Sequence, residues 1–548
     1  MNHKKMKKIK KLTANQISQE NKYRSLVDIG IALSGEKELE KILELILKKA
    51  METTSADGAS IYLSESIKIE SAGGKRFYPV LRFHRTSNRT TGIKIQNKVL
   101  DIDNSIAGYV ATTGQTLRIE NCYEIAANSP FHFNPEYDKA VGYTTKSMLA
   151  VPMVSNTGKV RGVLQIINKM KDDNFQQKTF HVDDVVPFGD EDSDLMKAFA
   201  SQASVALENA KLTDDIENLL ESFIRASVTA IEARDPSTSG HSDRVAVLTV
   251  ELARATHRCD NGIYKAFTLS DSQIREIRYA ALLHDFGKIG VRESVLGKEK
   301  KLFPYELESI MLRIDNACLK HELYQWRDTA LELGDLLKGG ETQDPAFQIG
   351  KVTQKIESFK KKLQSIRLKI IDANQPQIMH GDVDITEMIA GISQISKEID
   401  MNFVTANELV KLSLSKGSLS EEERNEINSH VSHTYSFLRQ IHWTEDLREV
   451  ADIAHAHHEK CDGTGYPRGL TYEHIPIQSR MMAITDIFDA LTSMDRPYKK
   501  AVTAERALEI INHEARAGKL DAELIKIFIE AGIFQSTLGM VRNTRKAA

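Results

Sequence analysis

The stretch Ala280-Ala281-Leu282-Leu283-His284-Asp285-Phe286-Gly287-Lys288 decides how the C-terminal half of this 548-residue chain is interpreted. We interpret it as the last turns of a helix, and Gly287 marks the helix end. Adjacent residues of a regular helix point in different directions. His284 and Asp285 can therefore bind metal together only at an irregular helix end, where their side chains converge, and Gly287 supplies that irregularity.

Further predicted helices carry the same residue types. His241 opens an amphipathic helix, and Ser420 and Glu423 form a capping box before the helix that carries His430 and His433. The remaining candidates end one helix or lie on another: His455, His457, His458, Asp486 and Asp489. Each of these helices is otherwise apolar on one face, where a polar side chain needs a partner.

A single histidine on an apolar face is most often a hydrogen-bonded core residue. Several such histidines together with aspartates are better explained by shared metal ions. Imidazole and carboxylate ligands suit iron, manganese or zinc better than calcium or a thiolate-bound metal. His433 and His455 flank the candidates, and we interpret them as supporting or surface groups. Asp489 lies on the same side of its helix as Asp486, where a carboxylate can orient a histidine ligand.

Composition excludes several classes of protein. The net charge of -3 argues against a nucleic-acid polymer as the main partner. The four cysteines form no CxxC pair, which fits a reducing cytosol. No apolar segment follows the lysine-rich start, and no run of about 18 apolar residues occurs. The sequence predicts a cytoplasmic protein without a membrane span, in which residues 1–19 form a basic, disordered tail.

The N-terminal part of the chain changes from a helical to a strand-like pattern. Apolar residues recur at helical spacing over residues 20–50. Short apolar runs between turns then predict strands near residues 58–63, 78–83, 147–153 and 162–168. This mixture predicts an α/β or α+β domain.

Residues 20–190 resemble a GAF domain. The resemblance rests on the segment Ala56–Tyr62, the helix opening Ser105–Ala111 and the strand pair Leu149–Pro152 and Gly162–Gln165. It implies a domain that senses a small molecule or mediates dimerisation. A ligand-binding domain and a ligand-free structural domain fit this resemblance equally well.

One further pattern in this segment is loosely similar to a motif of cyclic-nucleotide-binding GAF domains. It consists of Asn168-Lys169 followed by Phe188 and Asp190-Glu191. The spacing differs from that of the motif, so we do not predict a cyclic nucleotide as the ligand of this domain.

Residues 191–233 contain no proline or glycine, and their apolar residues recur at helical spacing. They predict one continuous signalling helix that joins two domains. Paired with its copy, such a helix would form a coiled coil, so the chain is predicted to be a homodimer. The alternative is two separate helices, each packed on its own domain.

Residues from about 215 to 540 resemble an HD-GYP phosphodiesterase domain. The matching motifs follow one another in order: Glu232–Pro236 before His241, His284–Gly290, His457–Pro467, Asp486–Thr492 and Asp495–Lys499. The resemblance implies an all-α catalytic domain. The chain is therefore predicted to be multidomain, with an α+β GAF domain followed by an all-α HD-GYP domain that carries a large helical insertion.

The resemblance also implies two divalent metal ions bridged by Asp285. The ligands that would complete the first ion are His241, His284 and Asp486. Those that would complete the second ion are His430, His457 and His458. Some members of the family bind a third ion through a glutamate four residues before the first histidine. Because this chain has Ser237 there, we predict two ions, iron or manganese.

Two cations hold a phosphodiester and activate an attacking water, so Asp285 and Lys288 are the predicted catalytic residues. Lys288 would stabilise charge that develops on the phosphoryl oxygens. The predicted substrate contacts are Lys288, Gly463, Tyr466, Arg496 and Lys499. For the lysines and the arginine the alternative is a solvated surface charge, and for the glycine-rich loop it is a structural turn.

The chain departs from the family pattern between the motif that contains His284 and the helix that carries His430. Residues 234–297 and 412–548 are the predicted halves of the HD-GYP domain, and residues 298–411 are an insertion. Apolar residues alternate by three and four from Ile349 to Ile370, which predicts a helical hairpin or bundle. It would be a dimerisation arm, a lid, a partner dock or an inert decoration.

The sequence thus predicts a metal-dependent phosphodiesterase that hydrolyses cyclic di-GMP to linear pGpG, GMP or both, under control of the GAF domain. A phosphohydrolase of the wider HD superfamily is a near alternative. Two alternatives belong to other classes of protein. One is a catalytically inactive or gated receptor for cyclic dinucleotides, and the other is a signalling scaffold.

Overall fold

The computed structural model describes residues 27–36, 38–71, 74–90, 98–100, 102–171, 181–235, 239–338, 344–376, 384–493 and 501–537. The predicted tail at residues 1–19, Ser237, Arg496 and Lys499 lie outside these ranges. The chain divides into two compact units, Met1–Leu220 and Glu221–Ala548.

The first unit is built on an antiparallel sheet. Its strands are Ala56–Ser71 (β1), Gly74–Asn88 (β2), Lys98–Leu100 (β3), Leu117–Ile119 (β4), Met148–Val154 (β5), Val160–Met170 (β6) and Val185–Val186 (β7). They lie in the order β3-β2-β1-β6-β5-β4, and β7 pairs with β6. Its helices are residues 27–35 (α1), Leu39–Thr54 (α2), Ile106–Thr113 (α3) and Glu136–Val141 (α4). The predicted strands are confirmed. The helical pattern of residues 20–50 is confirmed where the structure describes it, as the two helices α1 and α2.

Both faces of the sheet are covered, because strand residues alternate between them. Leu149 and Val151 of β5 pack against α2, while Met148 and Ala150 pack against α3 on the opposite face. The expected α+β fold is therefore observed.

The long helix Asp190–Arg234 (α5) is continuous, as the sequence predicts, and it runs across the division between the two units. Its first turns belong to the core of the first unit, since Leu195, Phe199 and Ala203 pack against the sheet. The predicted domain boundary at residue 190 thus falls before the end of this core, because the apolar spacing of α5 does not change where the core ends.

Asn168 has a structural role in the first unit. It is fully buried at the end of β6 with φ 54°, and its side-chain oxygen accepts hydrogen bonds from the N–H groups of Lys146 and Ser147. The following lysine, Lys169, pairs with Asp192, whereas the sequence pattern pointed to Asp190-Glu191. These contacts tie β6 to the loop before β5 and to the start of α5.

The second unit is helical in its described part. Its helices are His241–His257 (α6), Asp271–Leu283 (α7), Glu293–Leu296 (α8), Pro304–Lys338 (α9), Pro345–Ala373 (α10), Ile385–Ile399 (α11), Ala406–Leu412 (α12), Glu421–Asn428 (α13), His430–Leu438 (α14), Val450–His455 (α15), Ile477–Thr492 (α16), Ala504–Arg516 (α17) and Ala522–Glu530 (α18). Helices α6, α7, α16, α17 and α18 share one apolar core.

The insertion has a separate core formed by α9, α10 and α11. Phe359, Leu363 and Ile366 of α10 pack against Ile310 and Ile314 of α9, and residues of α11 complete the cluster. The predicted helical bundle is thus observed. Of the apolar residues of α10 that carried this prediction, those from Val352 to Ile370 are buried, whereas Ile349, in the second turn of the helix, is exposed.

A buried network of charges lies where the insertion meets the rest of the unit. Lys298 Nζ donates to both carboxylate oxygens of Glu423 at 2.7 Å. Lys411 Nζ lies 2.6 Å from Glu306 and 3.6 Å from Glu423. A buried charge is costly unless it is paired, so these pairs fix the base of the insertion on α13.

A close backbone contact joins the end of α7 to α14. After α7 the chain turns through a short 3-10 helix, Phe286–Gly290. A Cβ atom on Gly287 would lie 1.9 Å from the carbonyl oxygen of His430 and 2.4 Å from the nitrogen of Thr434. Only glycine permits this approach, because the facing atoms are backbone. The contact brings His284 and Asp285 beside the start of α14.

A search of the described residues for a helix long and apolar enough to cross a membrane finds none.

We expect Gly287→Ala to lower the free energy of unfolding by about 1–3 kcal/mol, because the added methyl group forces two backbones apart. Thermal and urea denaturation of the full-length chain measure this loss. Gly297→Ala is the matched control, since a Cβ there would meet its nearest atom at 3.6 Å. Equal stability of the two variants would contradict the proposed contact.

Candidate metal centre

Seven buried or half-buried side chains converge inside the second unit from the three helices α6, α14 and α16 and from the turns that follow α7 and α15. They are the residues that the sequence singled out: His241, His284, Asp285, His430, His457, His458 and Asp486. Their ligand atoms form three overlapping groups, and within each group these atoms lie within 4.8 Å of one another. Residues from distant parts of the chain thus meet in one place, although the insertion separates His284 from His430 in the sequence.

Asp285 lies between two sets of histidines. Its Oδ1 is 3.3 Å from His430 Nε2. Its Oδ2 is 3.5 Å from His284 Nε2 and 3.9 Å from His241 Nε2. The two oxygens of one carboxylate therefore face different sets, which is the arrangement that a bridging ligand requires.

Asp486 also spans the cluster, which the sequence did not indicate. Its Oδ1 lies 3.2 Å from His241 Nε2 and 4.0 Å from His284 Nε2. Its Oδ2 lies 4.0 Å from His458 Nδ1, on the side assigned to the other set. Both carboxylates therefore contact both sets of imidazoles.

The histidine rings are held by hydrogen bonds on the side away from the cluster. His284, His430 and His457 each place Nδ1 2.6–2.7 Å from the carbonyl oxygen three residues earlier. A carbonyl oxygen can only accept, so each Nδ1 carries the proton and each Nε2 presents a lone pair. This tautomer is the one that binds metal through Nε2.

Two of these nitrogen atoms support a metal at this position. The Nε2 atoms of His430 and His457 are buried and find no hydrogen-bond partner among the described residues. A buried polar atom without a partner costs about 1–3 kcal/mol, so native structures rarely contain one without a reason. The orphaned nitrogens, together with two carboxylates, form a donor set that suits a divalent transition metal.

The protonation states of Asp285, His457 and His458 agree with ligand chemistry. Burial alone would raise the pKa of the Asp285 carboxyl, but Lys288 and the nearby imidazoles outweigh it and hold that pKa well below its usual range. Burial and the neighbouring imidazoles hold the pKa of His457 well below its usual range, and burial lowers the pKa of His458 to about 4. Near neutral pH these rings are neutral and Asp285 is charged, as metal ligands must be.

His241 is oriented by a carboxylate on another helix. Its Nδ1 lies 2.7 Å from Asp489 Oδ2, as the position of Asp489 on α16 suggested. Arg244, one turn after His241, donates from Nε to Asp489 Oδ1 at 2.7 Å and from a terminal nitrogen to Oδ2 at 3.0 Å. Burial opposes the charged imidazole, but Asp486 and Asp489 raise the pKa of His241 to about 9, so a metal bound at Nε2 would displace a proton from this ring. The role of Arg244 was not predicted from the sequence. Its position three residues after His241, on the same face of α6, could have indicated it.

Thr434 holds the irregular helix end and was also missed. Its hydroxyl accepts a hydrogen bond from the N–H of Gly287 at 2.8 Å and donates to the carbonyl oxygen of His284 at 2.9 Å. It thereby fixes the turn that lets His284 and Asp285 face the same space. The available signal was its position four residues after His430, on the same face of α14.

Lys288 reaches the cluster from the same turn. Its Nζ lies 2.8 Å from Asp285 Oδ2 and 3.5 Å from Asp235 Oδ2. Burial lowers the pKa of Lys288, but these carboxylates outweigh it and leave that pKa above its usual value. The side chain therefore supplies a fixed positive charge beside Asp285.

The loop after His458 approaches the cluster through Tyr466. Its ring centroid lies 4.9 Å from that of His458. Buried Glu459 accepts hydrogen bonds from the N–H groups of Arg468 at 2.7 Å and Leu470 at 2.8 Å, and so fixes the loop. Gly463 lies in the turn, with φ 78° and its N–H bonded to Lys460 O.

The remaining candidates are placed outside the cluster or are not described. His455 stacks on Tyr435 with ring centroids 4.0 Å apart, and His433 packs over Gly290. Neither joins the groups of ligand atoms found among the described residues. Arg496 and Lys499 belong to residues 494–500, outside the described ranges, so their contact with substrate stays a prediction.

Two protein-family models match the chain. The GAF domain model matches residues 38–207 and the HD domain model matches residues 404–524. The second match begins after most of the insertion, so His241, His284 and Asp285 lie outside it. Their association with the matched segment rests on the structure, in which they meet His430 and Asp486.

Relatives of known name match parts of the chain. A 3'3'-cGAMP-specific phosphodiesterase 3 of Vibrio cholerae is 33% identical over 26% of this chain and 33% of its own length. The cyclic di-GMP phosphodiesterase response regulator RpfG of Xanthomonas campestris is 36% identical over 27% of this chain and 36% of its own length. A cyclic di-GMP phosphodiesterase of Thermotoga maritima is 26% identical over 41% of this chain and 63% of its own length.

The chain therefore spans less than two thirds of the length of each of these relatives. The family models, the antiparallel sheet and the helical unit agree on the two kinds of domain. Residues 38–207 of the chain match the GAF domain family and residues 404–524 match the HD domain family.

Proposed function

We propose that this chain is a metal-dependent phosphodiesterase that hydrolyses a cyclic dinucleotide. The preferred substrate is cyclic di-GMP, and the products are linear pGpG, GMP or both. The observation that carries the proposal is the position of Asp285, whose two carboxylate oxygens face separate sets of imidazoles at 3.3–3.9 Å.

The residues fit a pair of divalent cations, iron or manganese. The first set would be His241 and His284, and the second would be His430, His457 and His458. Asp285 would bridge the two ions, and Asp486 extends an oxygen toward each set. Cations in such a site supply Lewis acidity toward a phosphodiester and lower the pKa of an attacking water.

The protein's own groups then have distinct tasks. Asp489 and the backbone carbonyls hold the imidazoles in one tautomer, so the ligands need not reorganise on binding. The ammonium of Lys288 is positioned to stabilise negative charge that develops on the phosphoryl oxygens. The Tyr466 ring, packed beside His458, offers a surface on which a base can stack.

The names of the relatives support the substrate class. Two are phosphodiesterases for cyclic di-GMP and one is specific for 3'3'-cGAMP, so all three act on a cyclic dinucleotide. Both compounds should be tested, because the described contacts do not include a group that reads the base edge.

We further propose that the GAF domain regulates the activity through α5 in a cytoplasmic homodimer. Leu212, Ile216, Leu219 and Phe223 of α5 are exposed and spaced by four, three and four residues, the pattern of a coiled-coil seam. The four cysteines are free thiols, as in proteins of reducing compartments.

A gated or catalytically inactive receptor is the second candidate. The observation in its favour is the pairing of Lys288 with Asp285 and Asp235, which neutralises the cation that catalysis would use. Such a protein would bind the dinucleotide and retain metal, but it would not release product.

We expect the protein purified without oxygen to contain about two iron or manganese ions per chain and to hydrolyse cyclic di-GMP. His284→Ala should lose both metal and turnover, because His284 lies within reach of both carboxylates. Metal analysis and product chromatography on the same samples check this. His433→Ala, outside the cluster, is the control. Neither metal nor turnover after reconstitution would refute the proposal, whereas metal without turnover would favour the receptor.

We expect Lys288→Met to retain its metal and to lose turnover by at least about 100-fold, the usual effect of removing one group that stabilises developing charge. Metal content and kcat at saturating substrate separate these effects. Lys300→Met, an exposed lysine of the same unit, is the matched control and should have the parent kcat. A normal kcat in Lys288→Met would remove Lys288 from the mechanism.

A further inference from the structure

Helix α9 of the insertion has a second apolar face that points away from the bundle core. This outer seam repeats every seven residues, with positions we term d and a. The d positions are Tyr305, Leu312, Leu319, Trp326 and Leu333. The a positions are Ser309, Asn316, Leu323, Ala330 and Leu337. All except the half-buried Leu333 are exposed, and the exposed fractions of Leu312, Leu319 and Leu323 are 59–64%.

The outer seam is distinct from the face that stabilises the insertion. Ile310, Ile314 and Ala317 of α9 are buried against the other helices, and they occupy positions b and f of the same repeat. A helix with a single partner bundle needs only one apolar face. The outer seam extends over 33 residues, or about 50 Å of helix, and nothing in the described structure covers it.

The charges that border the outer seam are ordered by sign. The residues on one side, at position g, are acidic: Glu308, Asp315 and Glu322. On the other side, position e is basic at Arg313, Lys320 and Arg327, after the acidic Glu306 at the start of the helix. In a parallel two-stranded coiled coil, each g residue faces the e residue five positions later on the partner helix.

This offset pairs an acid with a base for each of the three acidic g residues, whereas the next pair along the outer seam, Thr329 and Gly334, is uncharged. Asp315 would face Lys320 of a second copy, and Glu322 would face Arg327 of that copy. In an antiparallel arrangement g faces g and e faces e, so acids would meet acids and bases would meet bases. Like charges across an interface are destabilising, so the pattern selects the parallel orientation.

Asn316 adds a second, independent indication. It is an amide side chain at an a position between apolar d residues, where two copies would meet on the axis, and the other polar a residue, Ser309, is much smaller. A single asparagine at such a position favours two strands in register, since any shift would bury its amide against apolar groups.

We propose that the outer seam of α9 is a self-association surface, on which a second copy of this chain packs in parallel and in register. The insertion is then a dimerisation arm. The bordering charges already make ion pairs inside the insertion, such as Asp315 with Arg367 at 3.2 Å and Glu322 with Lys360 at 2.8 Å. These surface pairs leave the outer seam itself exposed, so association does not require the bundle to open.

Cysteine cross-linking of the full-length chain tests the surface directly. Facing a positions of a parallel pair lie within the about 6 Å that a disulfide spans between Cα atoms. Asn316→Cys should therefore give a disulfide-linked dimer under mild oxidation. Asp328→Cys is the matched control, because Asp328 is exposed on α9 but occupies position f. The parent chain shows the background from its natural cysteines.

Charge reversal tests the orientation. In the Asn316→Cys background, Lys320→Glu with Arg327→Glu should abolish the cross-link, since acids would then face acids. Asp315→Lys with Glu322→Lys should abolish it as well. Mixing the two reversed proteins should restore it, now between unlike chains. Lys351→Glu with Lys361→Glu, on the exposed surface of α10, controls for net charge and should leave the cross-link intact.

Sedimentation of the unoxidised chain separates this surface from α5. A dimer in solution that gives the cross-link at position 316, with restoration on mixing, supports the proposal. A dimer without that cross-link assigns association to another surface, such as α5, and overturns the role of α9. A cross-link that survives charge reversal overturns the parallel pairing. A monomer at micromolar concentration overturns both the role of α9 and the parallel pairing. None of these outcomes depends on catalytic activity.

Discussion

The buried carboxylate of Asp285 is the constraint on which the helical unit depends. A lone charge in an apolar interior is too costly to persist, so every neighbour of Asp285 must compensate it. The protein surrounds this group with a lysine and with imidazoles from α6, from the turn after α7 and from α14. Those imidazoles are in turn fixed by backbone carbonyls and by Asp489. The helices can satisfy these contacts only in one arrangement, which gives the cluster its geometry.

The same constraint explains why the cluster requires an irregular helix end. In a regular helix, His284 and Asp285 would diverge, and one of them would be directed into the apolar core. The glycine after Phe286 permits a tight turn against α14, and Thr434 bonds both sides of that turn. The close packing of the backbone at Gly287 against the backbone of α14 therefore sets the distance between His284 and His430.

The sequence predicted the features that leave a repeating or a chemical signature. Helical spacing predicted α5 and the buried face of α10, and the histidines and aspartates on apolar faces predicted which side chains meet. It did not predict Thr434, Arg244 or the contacts of Glu459, because single hydrogen bonds to backbone or to a carboxylate follow no period. The predicted boundary at residue 190 lies before the end of the first unit's core, because the apolar residues of α5 keep the same spacing inside and outside that core. The outer seam of α9 was not predicted, because a sequence pattern alone does not show which apolar face of a helix the bundle covers.

The base of the insertion has a consequence for how the chain folds. Lys298 and Ser418, at the two ends of the insertion, are joined by a hydrogen bond of 2.9 Å, so the chain leaves and returns at nearly one point. The insertion also has its own core and can form it from contacts among residues 302–412 alone. Once it has done so, the effective loop between His284 and His430 shortens from roughly 150 residues to roughly 25. That change removes about 1.5 kcal/mol of loop-closure entropy from the step that assembles the cluster, so a large insertion need not slow the meeting of the residues it separates.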